Sequence, residues 1–252
     1  MGDFHGFPCW YELTTPDPVA AGDFYGTVIG WSCNRAPMEG FDYFLGSMGE
    51  VMVSGMVAPQ APGIPPNWMI YFAVTDCDAS VAGMQEDGAQ IVAGPADIPG
   101  TGRFAILQDP AGGHFGLLQP LPDGTGGAYA PQTAGHGAWH ELMSTDPDAA
   151  ALFYAKHLGL TESRAMDMGP MGSYRILAVD GTELGGLMRQ PIPGMPSFWL
   201  PYFTVPSVDA AIAAITGAGG EVKHGPAEVP GGAFIAQATD PQGAWFAVTG
   251  PR

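Results

Sequence analysis

The feature that most constrains this chain is a sentence written twice. DPVAAGDFYGTVIGW occupies residues 17–31 and DPDAAALFYAKHLGL residues 146–160, each with a Trp seven residues upstream of its first Asp, Trp10 and Trp139. Asp17 to Asp146 and Phe24-Tyr25 to Phe153-Tyr154 are separated by 129 positions. Tyr43 and Tyr174, Trp68 and Trp199, Gly94-Pro95 and Gly225-Pro226, and Asp109-Pro110 and Asp240-Pro241 are separated by 131. Anchors that recur in one order at one spacing mark a duplicated structural module. The modules are expected at about 5–120 and 136–250. Between them QPLPDGTGGAYAPQTAG, residues 119–135, is rich in Gly and Pro, lacks periodicity and reads as a linker.

Within each copy the elements alternate. CWYELTT, residues 9–15, reads as a strand, and Asp17 stands as the cap of a helix whose Val19, Phe24 and Val28 recur at helical spacing. Gly30 and Gly159 close the two first helices. Strands follow near 31–35, 41–46 and 50–57, with MGE as a turn and ELGGLM, 183–188, as the counterpart of the third. WMIYFAVTD, 68–76, and FWLPYFTVPS, 198–207, read as further strands, followed by the helices CDASVAGMQEDGA and VDAAIAAITGAGG. Strands at 89–93 and 103–108, a DPxG turn and a last strand, HFGLLQ or AWFAVT, complete the pattern. The chain thus reads as α+β, four βαβββ segments in tandem pairs. Each pair forms a curved mixed sheet with helices on its outer face and a cup on the other. The alternative is that both cups are packed solid.

The 252 residues carry 8 basic and 25 acidic side chains, a formal net charge of −17, which disfavours nucleic acid and anionic lipid as partners. No apolar run is long enough for a membrane span, and MGDFHGFPCW resembles neither a signal peptide nor a myristoylation site. Cys9, Cys33 and Cys77, without a CxxC, fit a reducing, cytoplasmic setting better than a disulfide framework. Cys9 adjoins Trp10 but lacks a well-placed His, so a nucleophilic role finds no support. The glycines of GTGRF and PGGAF follow no phosphate-loop pattern and read as tight connections.

On these residues the chain resembles the vicinal oxygen chelate superfamily, which includes glyoxalase I, extradiol dioxygenases and bleomycin-resistance proteins. The signatures are the strand before Asp17, the FY helix ending in (I/L)G, the VTDCDA and VPSVDA junctions, and DPxG near the end of each copy followed by a Phe. WYEL and WHEL at the openings resemble two-module actinobacterial proteins described as glyoxalase-like or hydroxylase-like. The resemblance implies a divalent metal held in each cup by His, Gln or Glu. Transferred position by position, those sites fall on Trp10, Met69 and Gly116 in the first copy and on Trp139, Leu200 and Ala247 in the second. None is a hard-metal ligand, so no cofactor is expected. The alternative is a displaced metal site, since Glu12 and His114 lie only two residues away and i and i+2 share a strand face.

By that alternation Trp10, Glu12 and Thr14 face inward in the first copy, as do Trp139, Glu141 and Met143 in the second, while Tyr11, Leu13, His140 and Leu142 pack toward the helices. Glu12, Glu141 and His114 are the candidate catalytic groups. Trp10, Trp139, Tyr43, Tyr174, Trp199 and Trp245 are the candidate ligand-binding residues, because aromatic rings beside a carboxylate suit an apolar or aromatic molecule. The expected function is metal-independent recognition or transformation of a small, largely apolar or aromatic organic molecule. Whether it is transformed or sequestered is left open. The alternatives are a metal-dependent lyase or oxygenase with a displaced site, or a structural or interaction protein. Paired modules in one chain are compatible with a monomer.

Overall fold

The computed structural model describes residues 4–37, 40–122 and 126–252, so residues 123–125 of the expected linker lie outside the described residues. The first repeat contains β1 (Pro8–Thr14), α1 (Pro18–Ile29), β2 (Ser32–Arg35), β3 (Tyr43–Met48) and β4 (Val51–Val57). It continues with β5 (Asn67–Ala73), α2 (Cys77–Glu86), β6 (Gln90–Ile98), β7 (Gly102–Gln108) and β8 (His114–Pro120). The second contains β9 (Gly137–Ser144), α3 (Pro147–Leu158), β10 (Thr161–Asp167), β11 (Ser173–Val179) and β12 (Thr182–Arg189). It ends with β13 (Phe198–Thr204), α4 (Val208–Gly217), β14 (Glu221–Glu228), β15 (Phe234–Thr239) and β16 (Trp245–Gly250). Two eight-stranded sheets result, in the orders β2-β3-β4-β1-β5-β8-β7-β6 and β10-β11-β12-β9-β13-β16-β15-β14. Both are mixed: β1 runs parallel to β4 and β5 to β8, while the outer hairpins are antiparallel. The α+β fold of four βαβββ segments is the one the repeat implies.

Local chemistry explains the boundaries. The Asp17 carboxylate accepts from the backbone N–H of Val19 and Ala20, and Asp146 accepts from that of Ala149, so each FY helix opens on a satisfied cap. Gly30 ends α1 at φ +95°, a left-handed conformation that a side chain would oppose. One boundary moved. The strand read over 89–93 continues as β6 to Ile98 through Gly94-Pro95, with register shifts between Ile91 and Ala93 and between Ala93 and Ala96. A strand carries a Pro where a ladder bond is not required, at an edge or a bulge, and β6 is both.

The chain divides into two compact units, and each draws on both repeats. One comprises Trp10–Met69, Gly126–Ala138 and Leu200–Arg252. The other comprises Met1–Cys9, Ile70–Thr125 and Trp139–Trp199. In the first unit α1 packs on α4, and the core gathers Phe24, Tyr25, Trp31, Trp68, Phe203 and Phe246, with ring centroids about 5–6 Å apart and mostly edge to face. At its centre the buried Tyr25 hydroxyl donates to Asp240 Oδ2 at 3.0 Å and accepts from Trp68 Nε1 at 2.9 Å. Asp240 Oδ1 meanwhile accepts the backbone N–H of Gln242 and Ala244, fixing its own turn.

The second unit repeats the device with the roles of the repeats exchanged. There α2 packs on α3, and Phe115, Phe153, Tyr154, Trp199 and Phe72 form the aromatic core. Tyr154 donates to Asp109 Oδ2 at 2.8 Å and accepts from Trp199 Nε1 at 3.0 Å, and Asp109 Oδ1 accepts from Ala111 and Gly113. Each FY tyrosine is therefore bonded to the DPxG aspartate of the other repeat. Burial pushes both carboxyls above their ordinary range, and the backbone and tyrosine donors offset only part of that rise.

Tyr25→Phe is expected to leave Asp240 Oδ2 and the Trp68 indole N–H short of a partner at unchanged ring packing. The loss should be about 1–3 kcal/mol, read as a lowered midpoint of urea unfolding. Tyr154→Phe should cost a similar amount.

Candidate functional site

On β1 the burial alternates: Tyr11 and Leu13 are fully buried, while Trp10, Glu12 and Thr14 are half-buried on the opposite face. Strand β4 runs parallel beside it with Gly55 aligned to Glu12, and β3 lies antiparallel beyond with Tyr43 opposite Val57. The Tyr43 side chain crosses β4 diagonally over Gly55 to reach β1. A Cβ at Gly55 would stand 1.8 Å from the tyrosine oxygen, so only glycine allows the crossing. The hydroxyl then donates to Glu12 Oε2 at 2.7 Å and accepts from Trp10 Nε1 at 3.0 Å.

The second repeat builds the same group. Glu141 aligns with Gly186, whose Cβ would stand 2.2 Å from the Tyr174 oxygen. Tyr174 donates to Glu141 Oε2 at 3.1 Å and accepts from Trp139 Nε1 at 2.9 Å. In both triads burial, then the neighbouring glutamate, pushes the phenol well above its ordinary value, against a smaller opposing effect of the indole donor. The tyrosines are consequently fixed donors to a carboxylate and cannot serve as bases near neutrality. Each triad offers aromatic faces and one carboxylate acceptor.

The structure thus brings Trp10, Glu12 and Tyr43 together, and Trp139, Glu141 and Tyr174. It puts Trp199 elsewhere: 2 % exposed in the aromatic core, with its N–H spent on Tyr154, as Trp68 is spent on Tyr25. Trp245 is half-buried at the head of β16, opposite Thr239. His114 is exposed at the head of β8, opposite Gln108, and belongs to a different compact unit from Glu12. Gly55 and Gly186 were the residues the motif reading passed over. Their signal was a glycine inside a strand pattern, recurring 131 positions on, which marks a close approach of another group.

Other candidates resolve into structure. Cys9 is 2 % exposed, its thiol donates to the Tyr71 carbonyl, and burial pushes its pKa far up. Cys33 and Cys77 are pushed up to about 11, chiefly by burial, and all three thiols are free. Such thiols are poor nucleophiles. Among the arginines, which no motif singles out, Arg35, Arg103, Arg164 and Arg175 are engaged by carboxylates, namely Asp42, Asp78 with Asp97, Glu183, and Asp148 with Glu162, and Arg189 donates to the Thr145 carbonyl.

The divalent ion that the resemblance implies does not fit the residues at its positions. Trp10 and Trp139 give their N–H groups to tyrosines, and Met69, Leu200 and Ala247 offer no hard donor. Gly116 is covered by the Tyr71 ring, to which a Cβ would come within 2.2 Å. Among the described residues no group of three or more His, Cys, Asp and Glu side chains is arranged to hold a metal ion. Among them, too, no helix is long and apolar enough to cross a membrane.

Comparison with known proteins agrees with this architecture. The profile of the Glyoxalase/Bleomycin resistance protein/Dioxygenase superfamily matches residues 9–115 and 135–248. The chain belongs to that superfamily. It is 36 % identical over 252 residues to CFP32 of Mycobacterium bovis, which carries a provisional glyoxylase name, covering 98 % of this chain and 95 % of the relative. It is 29 % identical to the anthracycline biosynthesis protein DnrV of Streptomyces peucetius, covering 96 % and 92 %. Among solved structures it is similar in fold to the Mn(II)-bound glyoxalase from Novosphingobium aromaticivorans, with a TM-score of 0.69, 16 % identity and coverage of 97 % and 82 %. The 2,3-dioxygenase LapB from Pseudomonas sp. KL28 gives a TM-score of 0.65, 16 % identity and coverage of 97 % and 92 %.

Two outcomes test the site. Gly55→Ala should drive Tyr43 off Glu12 and lower the unfolding free energy by more than the about 1 kcal/mol that ordinary Gly-to-Ala changes span, whereas Gly49→Ala, in an open turn, should not disturb the triad. A crystal structure of each variant reads the hydroxyl position. The second concerns His140, fully buried on β9, whose Nδ1–H donates to the Leu184 carbonyl at 2.7 Å. Burial lowers its pKa from 6.5 to about 4, so the unfolded chain takes up the proton first. Stability should therefore be complete above about pH 6.5 and fall as the pH drops toward 4, by about 3 kcal/mol at most. His140→Gln should flatten that slope in urea titrations across the same range.

Proposed function

We propose that this protein recognises a small, largely apolar or aromatic organic molecule through its Trp–Tyr–Glu triads, without a metal ion. The observation that supports the reading is the replacement of the family's first-strand metal position by an indole tied through a tyrosine hydroxyl to a glutamate. A ring stacked on Trp10 or Tyr43 would gain apolar contact, and a hydroxyl on it would find the Glu12 carboxylate as acceptor. The relationship to an anthracycline biosynthesis protein supports an aromatic ligand carrying hydroxyl groups. The provisional glyoxylase name of CFP32 supports a second reading, a metal-dependent lyase or oxygenase of the same superfamily with a displaced site. The three free thiols fit a reducing compartment.

The readings separate in one titration. 1,4-Dihydroxyanthraquinone added to the purified chain should quench tryptophan fluorescence saturably, equally before and after treatment with a chelator, and without turnover. Glu12→Gln should weaken that binding about tenfold, the worth of one charge-assisted hydrogen bond. Binding or turnover that appears only with added Mn(II) or Zn(II) would replace this reading by the second.

A further inference from the structure

The two triads are alike in bonding and unlike in access. On β1 every inward position is half-buried: Trp10, Glu12 and Thr14. On β9 only Trp139 is, because Glu141 is 6 % exposed and Met143, where the first copy has Thr14, is 3 % exposed. A second difference lies beside the tyrosines. Phe41 is half-buried and stacks on Tyr43, with centroids 6.0 Å apart and planes inclined by 23°. The position 131 residues on is Gly172, so Tyr174 has no such ring from that position.

We infer that only the first triad is a ligand site, taking one flat aromatic molecule per chain, and that the second is a closed structural copy. The inference rests on the function proposed above and narrows it. An aromatic ligand needs a face to stack on and a partner for its polar edge. Phe41, Tyr43 and Trp10 provide the faces in a part of the sheet that water reaches. Glu12, half-buried beside these rings, presents a carboxylate as the acceptor for a phenolic or enolic hydroxyl. The carboxylate also selects against anionic ligands, which would meet like charge there. Around Glu141 the long Met143 side chain stands where the first copy has the smaller Thr14. There the same Glu–Tyr bond serves to satisfy a buried carboxylate.

The test combines stoichiometry with chemical labelling. Calorimetric titration of the whole chain with 1,4-dihydroxyanthraquinone should give one site, and Phe41→Ala should weaken it about tenfold. The sulfonated analogue should bind more weakly. Carbodiimide coupling of glycinamide, read by peptide mass spectrometry, should modify Glu12 far faster than Glu141, and the bound ligand should protect Glu12. Two sites per chain, or equal labelling of the two glutamates, would overturn the asymmetry while leaving the proposed function standing. Slow labelling of Glu141 with no saturable binding of any aromatic probe would instead remove the proposed function, and the ligand assigned to the first triad with it. The labelling needs no variant, so a misfolded substitution cannot decide the matter.

Discussion

Two buried tyrosine hydroxyls hold the architecture together. A phenol in an apolar core must find both a donor and an acceptor. Tyr25 and Tyr154 each find an indole N–H from their own repeat and a carboxylate from the other. The carboxylate is in turn committed to two backbone N–H groups of its own turn, so it could not leave without undoing that turn. The bond therefore ties together three distant pieces of chain: an FY helix, the strand carrying the Trp, and a DPxG turn. Aromatic rings pack around each such bond, and the polar centre selects which helix meets which turn.

The triads obey a related logic on the sheet surface. A tyrosine on a neighbouring strand reaches the glutamate because a glycine lies between them, and the indole completes the hydroxyl's bonding. In the wider superfamily the carboxylates and imidazoles of such a face hold a cation. Here the corresponding first-strand position is an aromatic donor, and the glutamate two residues on accepts a hydrogen bond from a neutral phenol. The shared fold thus carries a different distribution of polar groups, which is why kinship to glyoxalases and dioxygenases defines the scaffold and leaves the chemistry to the residues.

Much of the scaffold was legible because it rests on local signals. Asp17 and Asp146 as caps, Gly30 and Gly159 as stops, and the alternation of Tyr11 and Leu13 with Trp10 and Glu12 follow from short-range rules that need no partner. What depends on pairing was not legible. FY and DPxG were both visible as anchors, yet their crosswise bond joins residues more than 200 positions apart in one case, and no local pattern specifies it. Trp199 looked like Trp139 in composition, but it lies on β13, buried continuously from Trp199 to Phe203, where its N–H meets Tyr154. Gly55 and Gly186 carried a readable hint whose meaning required the strand register. The length of β6 was hidden by a Gly-Pro that usually ends a strand and here marks a bulged edge.

The interleaving of the repeats also bears on how such a gene can be divided. A protein cut at the linker would yield two fragments, one holding Tyr25 without Asp240 and the other Tyr154 without Asp109. Neither fragment would contain a complete polar centre, although each would contain a whole eight-stranded sheet. Co-expressed, the fragments could restore both bonds only by finding each other; alone, the first would have to pair Tyr25 with Asp109 and the second Tyr154 with Asp240. The covalent connection therefore acts as a tether that keeps unlike halves matched, leaving each half free to diverge in sequence.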